Sequence, residues 1–165
     1  GKKQVVIGTH DGMLVRFKED DIRAMGRTAA GVRGIKLREG DYVVDMEILE
    51  EGQEILVVTE KGYGKRTPES EYRLQSRGGV GIKTIQVTEK NGPMCAVKTV
   101  NGTEDVMLIT INGMLIRMDV NDISVIGRST QGVRLIRLAD DETVATVARV
   151  KKDEDQPEDS TEEAE

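Results

Sequence analysis

The sequence predicts an all-β fold, a propeller-like array of small antiparallel sheets, and three observations support this prediction. Similar segments recur about every 50 residues, each has a turn glycine between two β-rich runs, and no segment has the apolar periodicity of a long amphipathic helix. A repeat of this length usually holds one supersecondary unit. About four short strands fit into each repeat, which is the strand content of a propeller blade.

Gly12, Gly62 and Gly113 stand at equivalent points of three repeats, 50 and 51 residues apart. A β-rich run precedes each of these anchor glycines and an alternating run follows it, as in residues 106–109 and 114–118. Glycine at such a junction is a hairpin signal, because it tolerates the positive φ of tight turns. We expect repeats at about residues 5–49, 55–100 and 106–150, within one region spanning residues 1–152.

Basic residues recur at fixed offsets from the anchor glycines. At offset +4 they are Arg16, Arg66 and Arg117, and at offset +15 they are Arg27, Arg77 and Arg128. At offset +21 they are Arg33, Lys83 and Arg134. At offset +24 they are Lys36 and Arg137, with Gln86 in the middle repeat. Solubility requires charge of either sign, so the constant sign favours a positive stripe that contacts a phosphate backbone. We expect these basic residues, together with Lys65, to bind DNA.

Charge is divided between two regions. The whole chain has a net charge of −6, but residues 153–165 hold eight acidic residues and no basic ones. Residues 1–152 therefore carry 24 basic and 22 acidic residues, a net charge of +2. The acidic tail, poor in apolar groups, is predicted to be disordered.

Catalytic and metal-binding constellations are not expected. His10 is the only histidine and Cys95 the only cysteine, and the neighbours of Cys95 indicate a structural thiol. The Gly78–Gly81 stretch has no following helix to help bind a phosphate, so no nucleotide site is predicted. We expect no catalytic residue, no metal site and no cofactor. The sequence has neither a signal peptide nor an apolar run of membrane length, which predicts a cytoplasmic location without membrane contact.

The scarcity of aromatic residues indicates which nucleic acid would bind. Phe17, Tyr42, Tyr63 and Tyr72 are too few to form a base-stacking platform, and no helix is predicted for the major groove. Binding to the backbone of duplex DNA, with bending, is the remaining mode. The alternative from another class is a protein-interaction propeller with no role in nucleic-acid binding.

Three stretches make the chain resemble the C-terminal DNA-wrapping domain of the DNA gyrase A protein, over residues 5–150. They are Tyr63-Gly64-Lys65-Arg66-Thr67-Pro68, residues 127–138, and Gln75-Ser76-Arg77-Gly78-Gly79-Val80-Gly81. The third resembles the gyrase box of that family, Gln-x-Arg-Gly-Gly-Lys-Gly. Gln75, Arg77, Gly78, Gly79 and Gly81 match the box, and Val80 replaces its lysine.

The resemblance implies a β-pinwheel, a propeller-like ring whose neighbouring blades exchange strands and whose basic outer edge wraps duplex DNA. Three repeats correspond to the last three blades, an incomplete ring. The holoenzyme would be an ATP-dependent topoisomerase that introduces negative supercoils, with ATP and Mg²⁺ bound outside this chain. Its other parts, the rest of the gyrase A protein and the gyrase B protein, are the implied protein partners, in the bacterial cytoplasm and associated with the nucleoid. The corresponding A protein of topoisomerase IV, a decatenating and relaxing enzyme, is the alternative family.

Overall fold

In the computed structural model, the repeats form small antiparallel sheets, which confirms the all-β fold class. The structure describes residues 3–20, 35–75 and 78–152. The strands are β1 (Gln4–Thr9), β2 (Met13–Lys18), β3 (Val43–Leu49), β4 (Glu54–Thr59), β5 (Tyr63–Pro68), β6 (Ile82–Lys83), β7 (Met94–Val100), β8 (Glu104–Thr110), β9 (Leu115–Asp119), β10 (Val133–Arg134) and β11 (Val144–Lys151). Short 3₁₀ turns follow β5 and β9, at Glu69–Glu71 and Val120–Asp122. Within those ranges, no helix has the length and apolar character needed to cross a membrane.

Each of the first two sheets is completed by a strand from the following repeat. The strand orders are β3-β1-β2-β6 and β10-β5-β4-β7, so repeat two supplies β6 to β2 and repeat three supplies β10 to β5. This is the exchange of strands between neighbours that the resemblance implies. The third sheet, β11-β8-β9, has three strands in the described part of the chain instead of the expected four.

The anchor glycines allow this exchange at close range. Gly12 and Gly62 have φ of +86° and +88°, a region that favours glycine. A Cβ on Gly12 would lie 2.7 Å from the carbonyl oxygen of Ile85, and one on Gly62 would lie 2.9 Å from that of Ile136. Gly113 also has a positive φ, +84°, but no atom lies within 4 Å of its Cβ position.

A second pair of repeated glycines lies on the donated segments. Gly81 and Gly132 have φ of +84° and +77°. A Cβ on Gly81 would lie 2.7 Å from the carbonyl oxygen of Leu14, and one on Gly132 would lie 2.9 Å from that of Gly64. The glycine recurrence seen in the sequence therefore reflects close backbone contact between successive repeats.

The hydrophobic core consists of three clusters of buried side chains. The largest lies between the second and third sheets and consists of Leu56, Val58, Ala96, Val100, Val106, Leu108, Val120, Ile123, Val144 and Val147. The next joins the first and second sheets through Val6, Leu14, Leu49, Ile55, Val57, Tyr72, Ile85, Met94 and Val97. The smallest lies in the first sheet, formed by Val5, Ile7, Val15 and Phe17. Because two clusters span neighbouring sheets, each repeat depends on the next for burial of its apolar surface.

The edge strands β3, β7 and β11 are joined by ion pairs. Lys98 on β7 lies 3.1 Å from carboxylate oxygens of both Asp45 and Glu47 on β3. Arg149 on β11 lies 3.3 Å from Glu47 and donates a 2.9 Å hydrogen bond to the carbonyl of Thr99 on β7. Glu47 thus links strands from all three repeats.

We expect Gly62→Ala to destabilise the chain far more than Gly113→Ala. Both substitutions introduce a Cβ at positive φ, which costs about 1–2 kcal/mol. Only the substitution at residue 62 also places the new Cβ against a backbone carbonyl. The free energy of unfolding of Gly62→Ala should therefore fall by about 3 kcal/mol in total. Urea unfolding followed by circular dichroism measures both losses. Equal losses would show that close approach between repeats does not constrain this glycine.

Candidate nucleic-acid interface

The +4 arginines of repeats one and two each hydrogen-bond the following repeat. Arg16 donates from Nη1 to the carbonyl oxygens of Glu69, at 2.8 Å, and Tyr72, at 2.9 Å, both in repeat two. Arg66 repeats this arrangement, donating from Nε to the carbonyl oxygen of Ile123 in repeat three at 2.8 Å. These arginines therefore tie the 3₁₀ turn of one repeat to the strand of the preceding repeat.

Each +4 arginine also has a polar partner twelve residues earlier. Arg66 pairs with Glu54 at 2.8 Å, and Arg117 pairs with Asp105 at 2.7 Å. The side chains of Arg16 and Arg66 are only 13% and 11% exposed, whereas that of Arg117 is 38% exposed. Packing between repeats thus explains the arginine at this offset in repeats one and two, and DNA contact by all three residues stays a prediction.

Lys65 lies beneath the turn that carries Arg128. Its side chain is fully buried, and its ammonium donates to the carbonyls of Gly127 at 2.6 Å, Arg128 at 2.8 Å and Thr130 at 3.2 Å. Desolvation by burial lowers the pKa of Lys65 to about 8, although the nearby Glu71 carboxylate opposes this shift. Sequence analysis predicts a direct DNA contact for Lys65, but such a contact requires exposure that the side chain lacks here. Its position is that of a support for the turn.

Arg128 is half-buried and hydrogen-bonds two segments of repeat two. Its Nη1 donates to the carbonyl oxygen of Lys83 at 2.9 Å, and its backbone N–H donates to Glu71 at 3.4 Å. Its Nε is buried and has no hydrogen-bond partner among the described residues. The +15 arginine of repeat three therefore lies directly beside the +21 lysine of repeat two.

Five predicted DNA-binding residues among those described are exposed: Lys36, Lys83, Arg117, Arg134 and Arg137. Lys83 belongs to β6 and Arg134 to β10, the strands that each repeat adds to the preceding sheet. Strand exchange therefore places the +21 cation at the same edge of successive sheets.

A cavity of about 370 Å³ adjoins Arg134 and Arg137 at the junction of repeats two and three. Arg134 donates from Nη2 to the hydroxyl of Tyr63 at 3.0 Å, and its Cζ lies 5.5 Å from the ring centroid. Lys61 and Lys90 also line the cavity. Sequence analysis did not assign Tyr63, Lys61 or Lys90 to the site, since none of them stands at a repeated basic offset. The one sequence feature that could have indicated the cavity is Tyr63, a tyrosine next to the anchor glycine Gly62.

The gyrase-box-like segment contributes backbone contacts to the junction of repeats one and two. Gln75 donates its backbone N–H to the Arg16 carbonyl on β2 at 2.7 Å. Gly78 has a φ of +84°, Gly79 forms a parallel bridge with residue 35, and Gly81 lies against β2. These glycines therefore position the chain between repeats.

Several predictions lie outside the described residues. They are the DNA contacts of Arg27, Arg33 and Arg77 and the disordered tail at residues 153–165.

One group of metal-ligand side chains occurs in the described residues. Ligand atoms of His10, Asp11 and Asp41 lie within 4.8 Å of one another. Asp41 accepts from the backbone N–H groups of Asp11, at 3.0 Å, and Tyr42, at 2.8 Å, and His10 Nδ1 lies 3.2 Å from Asp11. Hydrogen bonds between these two turns therefore explain why the three side chains lie close together.

The expected character of Cys95 agrees with its surroundings. Its thiol donates to the carbonyl of Val58 at 3.5 Å, and desolvation by burial raises its pKa to about 12. With this pKa, the thiolate fraction at pH 8 should be about 10⁻⁴.

Only the thiolate reacts readily with a disulfide reagent. We therefore expect the native chain to react at least about 100-fold more slowly than the urea-unfolded chain, as measured by absorbance. Comparable rates would show that the thiol is accessible and not stabilised in its protonated form.

We expect Arg66→Met to destabilise the chain by about 3 kcal/mol, because it leaves Glu54 and the Ile123 carbonyl without their partner. Arg137→Met is the matched control and should change stability by less than about 0.5 kcal/mol, since Arg137 is exposed. Thermal unfolding of both variants measures the difference. Similar small changes would mean that the +4 contacts add little to packing.

Strand exchange between small sheets, with cations on the exchanged strands, defines a propeller-like repeat domain. Residues 3–50, 53–92 and 104–151 match the family described as DNA gyrase C-terminal domain, beta-propeller. The chain belongs to this family.

Curated relatives agree with the family. The A protein of DNA gyrase from Staphylococcus aureus strain MRSA252 is 54% identical over 158 residues, covering 94% of this chain and 18% of the relative. That of strain NCTC 8325 is 55% identical over 155 residues, covering 93% and 18%. The chain therefore spans about a fifth of the length of these relatives.

Solved structures agree with the fold. The C-terminal domain of DNA topoisomerase IV matches with a TM-score of 0.83 and 23% identity, covering 92% of this chain and 47% of that one. A DNA gyrase A C-terminal domain matches with a TM-score of 0.52 and 17% identity, covering 90% and 66%. The E. coli ParC C-terminal domain matches with a TM-score of 0.64 and 14% identity, covering 91% and 57%. At these identities the three solved structures share the fold, while the family match and the curated relatives are those of gyrase.

Proposed function

We propose that the chain binds duplex DNA along its basic edge and bends or wraps it as part of DNA gyrase. In this proposal the rest of the gyrase A protein and the gyrase B protein supply the ATP-dependent chemistry, with ATP and Mg²⁺ bound outside this chain. The chain itself is non-catalytic. It acts in the bacterial cytoplasm, in association with the nucleoid. Its contribution to supercoiling is to set the path of the DNA.

The observation that carries the proposal is the placement of Lys83 and Arg134. Both are exposed, and each occupies the strand that completes the preceding sheet. Equivalent cations at equivalent sheet edges suit a polymer of regularly spaced phosphates. A protein-interaction surface has no such need for one sign of charge at each repeat.

Burial of the aromatic side chains supports contact with the DNA backbone over base stacking. Phe17, Tyr72 and Tyr63 are 0%, 2% and 6% exposed. Tyr42 is exposed, but its ring stacks on His10 at a centroid distance of 4.5 Å. Single-strand binding of the usual kind requires exposed aromatic faces, so the duplex is the better-fitting partner.

We expect the affinity for a fluorescein-labelled duplex to fall steeply with salt. If about six phosphates are contacted, log affinity against log salt should have a slope of about −5, because binding releases the salt counterions condensed on the DNA. Fluorescence anisotropy at several salt concentrations measures the slope. A flat response would favour the protein-interaction alternative.

Substitution of three exposed cations at the repeated offsets tests whether the stripe carries this binding. Combining Lys83→Ala, Arg134→Ala and Arg137→Ala should reduce the magnitude of the slope by about 3. The control combines alanine substitutions at Lys3, Lys18 and Lys151, which are exposed and lie outside those offsets. It should change the slope much less. Equal losses in the two triple variants would indicate general charge attraction without a repeated site.

A further inference from the structure

The cavity at the junction of repeats two and three is lined by more positive than negative side chains. Lys61, Lys90, Arg134 and Arg137 line it together with Asp140 and Glu142. None of the four cations forms an ion pair with a residue that the structure describes. Its volume of about 370 Å³ is within the usual range for ligand sites.

Tyr63 holds two of these cations in place. The ring centroid lies 5.5 Å from Arg134 Cζ and 5.8 Å from Lys90 Nζ, and the hydroxyl accepts a hydrogen bond from Arg134. Tyr63 is itself 6% exposed, so its ring is a fixed support. A cation held over an aromatic face loses less conformational freedom when it binds an anion.

The two carboxylates only partly offset this charge. Glu142 is bound by Asn112, which donates to it from its backbone N–H at 3.2 Å and from its side-chain amide at 2.8 Å. These hydrogen bonds lower the pKa of Glu142, with the Asn112 amide as the main cause, and keep it ionised. Asp140 is exposed, where its field is screened by water. With four cationic and two anionic side chains, the cavity lining keeps a net positive charge.

The repeat does not by itself produce this cluster. At the equivalent junction of repeats one and two, Met13 replaces Tyr63 and Gln86 replaces Arg137. Asp11 and Gly40 occupy the positions of Lys61 and Lys90, which leaves Lys83 as the only equivalent cation. A charge distribution needed only for folding would be expected at both junctions.

We propose that this cavity binds a phosphate group, with Arg134 as the main donor and Tyr63 as its positioning residue. The planar guanidinium matches the oxygens of a phosphate, and the lysines and Arg137 add charge. The inference rests on the proposed function in taking a phosphodiester of duplex DNA as the natural ligand. It makes this junction a stronger contact than the one between repeats one and two.

A titration of the ¹⁵N-labelled chain with inorganic phosphate tests the cavity without DNA. Sodium chloride keeps the ionic strength constant, and amide shifts are followed by NMR. Saturable changes are expected at residues 61–63, 90 and 134–137, and much smaller ones at residues 11–13 and 83–86. Equal changes at the two junctions, or none at the first group, would overturn the proposal.

Duplex binding tests the natural ligand. Arg134→Ala should reduce the magnitude of the salt slope by about 0.9 and weaken binding about eightfold near 0.1 M salt, the loss expected for one phosphate contact. Arg38→Ala is the control, since Arg38 is exposed and does not line the cavity. It should leave the slope nearly unchanged. An equal effect of both substitutions would count against a specific site.

Substitutions of Tyr63 separate positioning from folding. Tyr63→Leu should approach the loss of Arg134→Ala, while Tyr63→Phe keeps the ring and should recover most of the affinity. Met13→Leu, at the equivalent buried position, controls for repacking. An effect of Tyr63→Leu that persists when Arg134→Ala and Lys90→Ala are combined would mean that Tyr63 acts through stability and would refute its positioning role.

The two proposals fail in different ways. If the chain binds DNA with a steep salt slope that neither Arg134→Ala nor Tyr63→Leu alters, the cavity proposal is wrong and the proposed function stands. If the chain does not bind DNA, the proposed function is wrong, and the phosphate titration alone decides whether the cavity is an anion site.

Discussion

Backbone pairing between successive repeats is the interaction on which the rest of the structure depends. β6 and β10 are only two residues long, yet each completes the sheet of the preceding repeat. Glycines on both sides allow the main chains to approach closely. Arg16 and Arg66 then reinforce the pairing by donating to carbonyls of the next repeat, where such buried groups need partners.

The same segments that hold the repeats together also present the charge. Arg128, Lys83 and Arg134 lie on or beside the donated strands, and Lys65 supports the turn from below. A surface cation on a segment fixed at both ends is better ordered than one on a free loop, so it loses less entropy on meeting a phosphate. In the proposed function, folding and anion binding would therefore depend on the same stretch of the repeat.

The sequence was enough to predict the array and its anchor glycines, because both follow from spacing and turn chemistry. It also predicts DNA contacts for Lys83, Arg134 and Arg137, whose side chains are exposed. It could not distinguish these from Arg66 or Lys65, because recurrence of a basic residue looks the same whether the side chain faces solvent or a carbonyl of the next repeat. The cavity beside Tyr63 was also beyond the sequence, since it depends on residues from different repeats meeting across a junction.

Because of the exchanged strand, the repeat in the sequence and the sheet in the structure do not have the same boundaries. Each sheet is made mostly from one repeat and closed by a strand from the next, so its boundaries are staggered relative to those of the repeat. Duplication or loss of one whole repeat inside the array would leave this stagger intact, because repeat two both gives a strand backward and receives one from ahead. The number of blades can therefore change during evolution without the invention of a new interface, as expected for architectures held together by nearest-neighbour contacts.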